Sequence, residues 1–120
     1  MHLIDNTSST AAPKVAFLEP EDMGPGSRVY EVNLAPEGRP VAPFKASRFT
    51  VDPGATTPVD IHEVREIWMV AEGAGELRYD NHATRAGPGD ILYYDSMKPH
   101  KLHNDDDKQM VLFSVWWKPQ

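Results

Sequence analysis

Proline and glycine interrupt this chain so often that long helices have no room: 11 prolines and 8 glycines fall within 120 residues. Proline lacks a backbone donor and blocks helix interiors, while glycine marks turns. The segments between breaks read as strands. Arg28 to Leu34 alternates apolar with polar residues, and Ser47 to Val51 does so before the Asp52-Pro53-Gly54 turn. Glu66 to Glu72 is mostly apolar and is expected to form a hairpin with Gly75 to Tyr79 across Glu72-Gly73-Ala74. Further turns are expected at Asp80-Asn81-His82 and at Gly87-Pro88-Gly89, the latter leading into Asp90 to Tyr94. Met110 to Trp117 is apolar at nearly every position, which suits a strand covered on both faces. Many short strands with turns between them predict an all-β sandwich or barrel. A helix over Asp60 to Trp68 would set His62 and Glu66 one turn apart. Against it, Pro53 and Pro58 lie just upstream and Val59, Ile61, Val64 and Ile67 are β-branched.

The length suits one domain. Residues 1–12 are small and polar and read as a flexible N-terminal arm; residues 13–120 carry the folded domain. The chain has no cysteine, so disulfides and thiolate chemistry are excluded, and any metal must sit on His, Asp or Glu. The net charge of −6 argues against nucleic acid and anionic membrane surfaces as partners. No apolar stretch approaches a membrane span, and the start of the chain, with His2 and Asp5, lacks the pattern of a signal peptide. These features predict a cytoplasmic protein.

Two stretches carry the chemistry. The first runs from Gly54 through Asp60, His62 and Glu66 to Gly73; the second holds Gly87-Pro88-Gly89-Asp90, Pro99-His100 and Asn104. Together they resemble the two boxes of the cupin family. Its first box runs Gly, five residues, His-x-His, three or four residues, Glu, six residues, Gly, and Gly54, His62, Glu66 and Gly73 fall at those spacings. Its second box centres on Pro-x-Gly, then His, three residues and Asn; a compressed Pro-Gly pair, His100 and Asn104 match it. The resemblance spans roughly residues 45 to 117. It implies a single-domain cupin-type β-barrel, a jelly-roll-like double-stranded β-helix. It also implies one divalent metal ion held by His62, Glu66 and His100. Asp60 stands where the family usually has its first histidine, and is a fourth ligand, a partner of a metal-bound water or a turn cap.

Strand geometry adds a condition. Residues four apart on an extended strand are about 13 Å apart, so His62 and Glu66 share an ion only if the chain bends at Glu63-Val64-Arg65. His100 must come from a neighbouring strand, with Pro99 favouring extended backbone at Lys98. Two imidazoles and a carboxylate suit iron(II) first, and also manganese, zinc, nickel or cobalt. Surface solvation is the bland alternative for His62 and His100, and an ion pair with Arg48, Arg65 or Arg78 for Glu66. His103 is expected on the face opposite His100, and His82 and His2 are expected to be incidental. Trp68 shares a face with Glu66, so Trp68, Phe49 and Arg48 are candidates for substrate contact. Asp60 and Tyr94 are candidates for general acid–base work. Core packing is the competing reading of the aromatics, and solvation that of Arg48.

The resemblance implies a metal-dependent enzyme acting on a small polar organic substrate, by oxygenase, isomerase, lyase or cyclase chemistry. A non-catalytic small-molecule or sugar-binding cupin is the alternative, because the fold hosts both. A homodimer is expected, with the apolar last strand as its interface.

Overall fold

A computed structural model describes residues 12–120 and is all-β over that range. The expected arm lies almost wholly outside the described residues. Strands are β1 (Glu21–Gly24), β2 (Ser27–Glu31), β3 (Lys45–Val51), β4 (Arg65–Glu72), β5 (Gly75–Tyr79), β6 (His82–Ala86), β7 (Ile91–Tyr94), β8 (His100–His103) and β9 (Met110–Trp117). They form a six-stranded antiparallel sheet in the order β1-β2-β3-β9-β4-β7 and a three-stranded sheet in the order β6-β5-β8. The segment from Gly54 to Asp60 lies along β8 through bridges Thr56–His103 and Asp60–His100, which widens the smaller sheet. The two sheets face each other in the jelly-roll manner and do not close into one hydrogen-bonded cylinder.

The core lies between them. Phe49, Val51, Trp68, Val70, Tyr94, Met110 and Leu112 from the large sheet meet Leu77, Ala86 and Leu102 from the small one. Each is at a strand position whose parity turns it inward. Burying a side chain of this kind contributes about 1.5–3 kcal/mol.

Two expectations are corrected. Glu66–Glu72 and Gly75–Tyr79 do not form a hairpin: Gly73, at φ 81°, carries the chain from the large sheet to the small one. A Cβ there would stand 2.8 Å from the Met110 side chain, so the crossing needs glycine for both conformation and clearance. The true hairpin joins β5 to β6, where Asp80 and Asn81 both take positive φ. The last strand is covered on one face only. Met110, Leu112 and Ser114 are buried, but Phe113 on the outer face is exposed. Residues 60–68 are not helical, as the upstream prolines and β-branched residues indicated: β4 begins at Arg65 after a bend at Glu63–Val64.

Candidate metal centre

The bend at Glu63–Val64 brings His62 back over the start of β4. It is held from the opposite turn: Met97 N–H donates to the His62 carbonyl at 2.8 Å, and the Ser96 hydroxyl donates to the Glu63 carbonyl at 2.7 Å. His62 Nε2 thereby stands 3.1 Å from Glu66 Oε1. His100 opens β8 on the other sheet and is 2% exposed; its Nε2 lies 3.5 Å from the same oxygen. Asp60 and His100 are bridged backbone to backbone in both directions, at 3.0 and 3.1 Å. Donor atoms of Asp60, His62 and His100 lie within 4.8 Å of one another. Two segments therefore converge: Asp60 and His62 gather with His100 in one cluster, and Glu66 meets both imidazoles.

The protonation pattern favours a cation. His62 Nδ1 lies 3.3 Å from the Val64 carbonyl, and His100 Nδ1 lies 3.0 Å from the Lys98 carbonyl. A carbonyl only accepts, so each Nδ1 carries its proton, and Nε2 is the nitrogen left to carry a second proton or to offer its lone pair. Both Nε2 atoms face the Glu66 carboxylate, and among the described residues the buried His100 Nε2 has no hydrogen-bond partner. Two Nε2 atoms on one carboxylate oxygen call for a shared proton or a metal ion. Two donors each about 2.1 Å from one ion and at right angles stand ~3 Å apart, close to the separations from Glu66 Oε1. The group fits a divalent metal. Burial alone would lower the proton affinity of His100, but the Glu66 carboxylate and the Lys98 carbonyl outweigh it and raise the pKa above 6.5.

The site opens on a cavity of about 370 Å³ between the sheets. Phe49, Trp68 and Trp116 form its apolar wall, Asp60, His62 and Glu66 its polar end, and Ser47 and Ser114 also line it. Of the expected substrate contacts, Phe49 and Trp68 line the cavity. Arg48 does not: β3 parity turns it outward, where its guanidinium sits 4.8 Å from the Phe17 ring centroid and 5.2 Å from that of Tyr30. Tyr94 is buried beside the centre, its ring against His100, yet it is not among the cavity-lining residues. Its hydroxyl has no partner, and burial pushes its pKa far up, with Glu66 and Tyr79 adding to the effect. A phenol so placed is a poor proton donor at neutral pH.

His103 points away from the centre and pairs with Thr56, while His82 is exposed in the β5–β6 hairpin. Asn104 is fully buried and braces the β8–β9 turn through the Val51 and Lys108 carbonyls. The Gly87-Pro88-Gly89 turn precedes β7 and lies one strand before His100. The turn that delivers His100 is Asp95-Ser96-Met97, with Met97 at φ 61°. A non-glycine residue in that conformation hid the turn from pattern reading. The carbonyls of Val64 and Lys98 and the paired Ser47 and Ser114 were also missed. Strand parity held the signal for the serines, since Ser47 shares a face with Phe49 and Ser114 with Trp116.

A model of the cupin domain family matches residues 47–116. Among solved structures, a Cupin 2 conserved barrel domain protein from Salinispora arenicola CNS-205 superposes with a TM-score of 0.70 at 25% identity, covering 93% of this chain and 91% of that one. A predicted oxalate decarboxylase from Thermotoga maritima gives 0.68 at 16% identity, with 88% and 95% covered. The Cupin_2 domain of an XRE family transcriptional regulator from Enterobacter cloacae gives 0.67 at 19% identity, with 79% and 99% covered. The last two likenesses are of fold. Among the described residues no helix is long and apolar enough to cross a membrane.

Proposed function

This chain belongs to the cupin family, and from that premise we propose that it is a metal-dependent enzyme acting on a small organic molecule in the cavity beside His62, Glu66 and His100. One observation carries the reading: both imidazoles are anchored at Nδ1 by backbone carbonyls and present Nε2 to a single carboxylate oxygen at a cavity mouth. Ligands oriented in advance in this way are characteristic of built metal sites. His62, His100, Glu66 and Asp60 would hold the ion; iron(II) is the first choice for this donor set, with manganese, zinc, nickel and cobalt also suited. When bound, the ion supplies Lewis acidity toward a substrate oxygen or redox chemistry with dioxygen.

The chain's own residues have narrower tasks. Phe49, Trp68 and Trp116 exclude water and set the shape of the bound molecule. Among the described residues the titratable side chains lining the cavity are Asp60, His62 and Glu66, all members of the donor group. A proton can be moved there by Asp60 only if Asp60 leaves the ion or holds a water beside it. This shortage of a spare acid or base supports oxygen chemistry over isomerisation. It equally supports the second reading, a non-catalytic binding module. The chain is further proposed to work as a homodimer joined through the outer face of the large sheet, where apolar side chains stand exposed.

Metal analysis of the purified protein, followed by His62→Ala and His100→Ala, tests the centre. The expected result is about one equivalent of metal, lost in both variants. Ligand binding that survives in both variants, in protein free of metal throughout, would overturn the enzyme reading and leave the binding module.

A further inference from the structure

The cavity has a second polar feature, away from the metal donors. Ser47 on β3 and Ser114 on β9 are register partners, both 3% exposed, and their hydroxyl oxygens are 2.5 Å apart. One hydroxyl donates to the other. The accepting hydroxyl keeps its own proton, and no acceptor for that proton stands among the described residues. Both serines line the cavity, so the free proton has the cavity contents as its natural acceptor. Ser114 is the register partner of Trp68, two residues along β4 from Glu66. That diagonal places the Ser114 and Glu66 side chains about 7–8 Å apart.

The charge inventory narrows the ligand further. Among the described residues no lysine or arginine lines this cavity. A divalent ion held beside Asp60 and Glu66 would be balanced in charge by the two carboxylates, so a carboxylate entering the cavity would meet no net positive charge and still lose its hydration. We propose that Ser47 and Ser114 form a hydrogen-bond-donating subsite, and that the site takes an uncharged small molecule: an oxygen acceptor at the serine pair, an apolar body against the wall of Phe49, Trp68 and Trp116, and its other end at the metal centre. The proposal rests on the cavity's being the working site.

The test uses a matched pair of probes, benzamide and benzoate, alike in shape and different in charge. Binding to zinc-loaded protein is followed by calorimetry, with zinc content measured on the same samples. Benzamide is expected to bind at least about tenfold more tightly than benzoate. Ser47→Ala and Ser114→Ala are each expected to change benzamide affinity by less than about twofold, because the remaining hydroxyl still donates. The double variant is expected to lose about fivefold, the usual worth of one neutral hydrogen bond. Circular dichroism of the double variant, and its affinity for benzoate, check that the sheet is intact. Equal binding of the two probes, no binding of either, or a double variant that binds benzamide unchanged would each overturn the proposal. Protein that takes up no zinc yet keeps the benzamide preference and its serine dependence would instead sink the metal reading and leave the subsite standing.

Discussion

Tyr94 and His100 lie face to face across the two sheets, with ring centroids 4.2 Å apart and planes 2° from parallel. Together with the Lys98 carbonyl, this stack leaves the imidazole one orientation, with Nε2 toward Glu66. The contact is made by the ring and not by the phenol oxygen, which is buried without a partner. Tyr94→Phe therefore removes an unsatisfied polar group and keeps the stack. It is expected to leave metal content unchanged and to hold or raise Tm, since an unpaired buried polar group costs about 1–3 kcal/mol. Tyr94→Ala is expected to destabilise by about 3–5 kcal/mol and to weaken metal binding. Thermal unfolding with metal analysis separates the two. Loss of activity in Tyr94→Phe with metal retained would return Tyr94 to the acid–base role.

The same centre predicts a pH dependence of opposite sign in metal-free and metal-loaded protein. The pKa of His100 in the folded chain is raised above 6.5. Its protonated form thus contributes stability to metal-free protein that is fully present below the unfolded value and lost as pH rises through the folded one. Metal must displace that proton, so affinity falls as pH falls through the same window. The gap in Tm between zinc-loaded and metal-free protein is expected to widen steadily from about pH 5.5 to 8.5. A gap that stays constant over that range would show that His100 does not exchange a proton for the ion.

His62, Glu66 and His100 were named through the resemblance to the two cupin boxes, and strand geometry added only the condition that the chain bend between His62 and Glu66. The bend occurs at Glu63–Val64, as the strand-distance argument required. What stayed hidden depends on pairing between distant segments. Asp60 was a candidate from its place in the first box, but its bridge to His100, forty residues away, is a pairing that no local pattern carries. The crossing at Gly73 reads like a hairpin in sequence, because a chain leaving one sheet for another uses the same turn residues as one folding back. The outward direction of Arg48 was within reach: Phe49 follows it on one strand, and consecutive residues cannot both face the cavity.

The proposed homodimer has a specific surface to test. On the outer face of the large sheet, Ile91, Met69 and Phe113 stand in one register row, and Tyr93, Ile67 and Val115 in the next. Ile91 is 70% exposed, Tyr93 50% and Phe113 41%. Apolar rows of this kind on a central strand tend to be covered by a partner. Light scattering is expected to give twice the 13.4 kDa chain mass. Phe113→Asp combined with Tyr93→Asp is expected to yield monomer with metal content unchanged, since neither side chain lines the cavity. A wild-type monomer, or a dimer that survives both aspartates, would rule this face out.

Asp60 gives the sharpest test of which groups hold the ion. Its backbone bridges to His100 remain whatever its side chain, so substitution there changes a donor without moving β8. Asp60→Ala is expected to leave Tm of metal-free protein nearly unchanged and to weaken zinc binding at least about tenfold, because even outer partners of a metal site are worth ten- to a hundredfold. Asp60→Asn keeps the shape and removes the charge; if Asp60 only accepts a hydrogen bond from a bound water, the loss in Asn is expected to be small. Asp60→His installs the residue usual at this point of the first cupin box and adds a third imidazole. It is expected to retain one equivalent of zinc and to bind it more tightly than Asp60→Ala does. Competition against a chelating dye measures all three. If Ala, Asn and His bind zinc as the wild type does, then Asp60 is no ligand, and His62, Glu66 and His100 hold the ion alone.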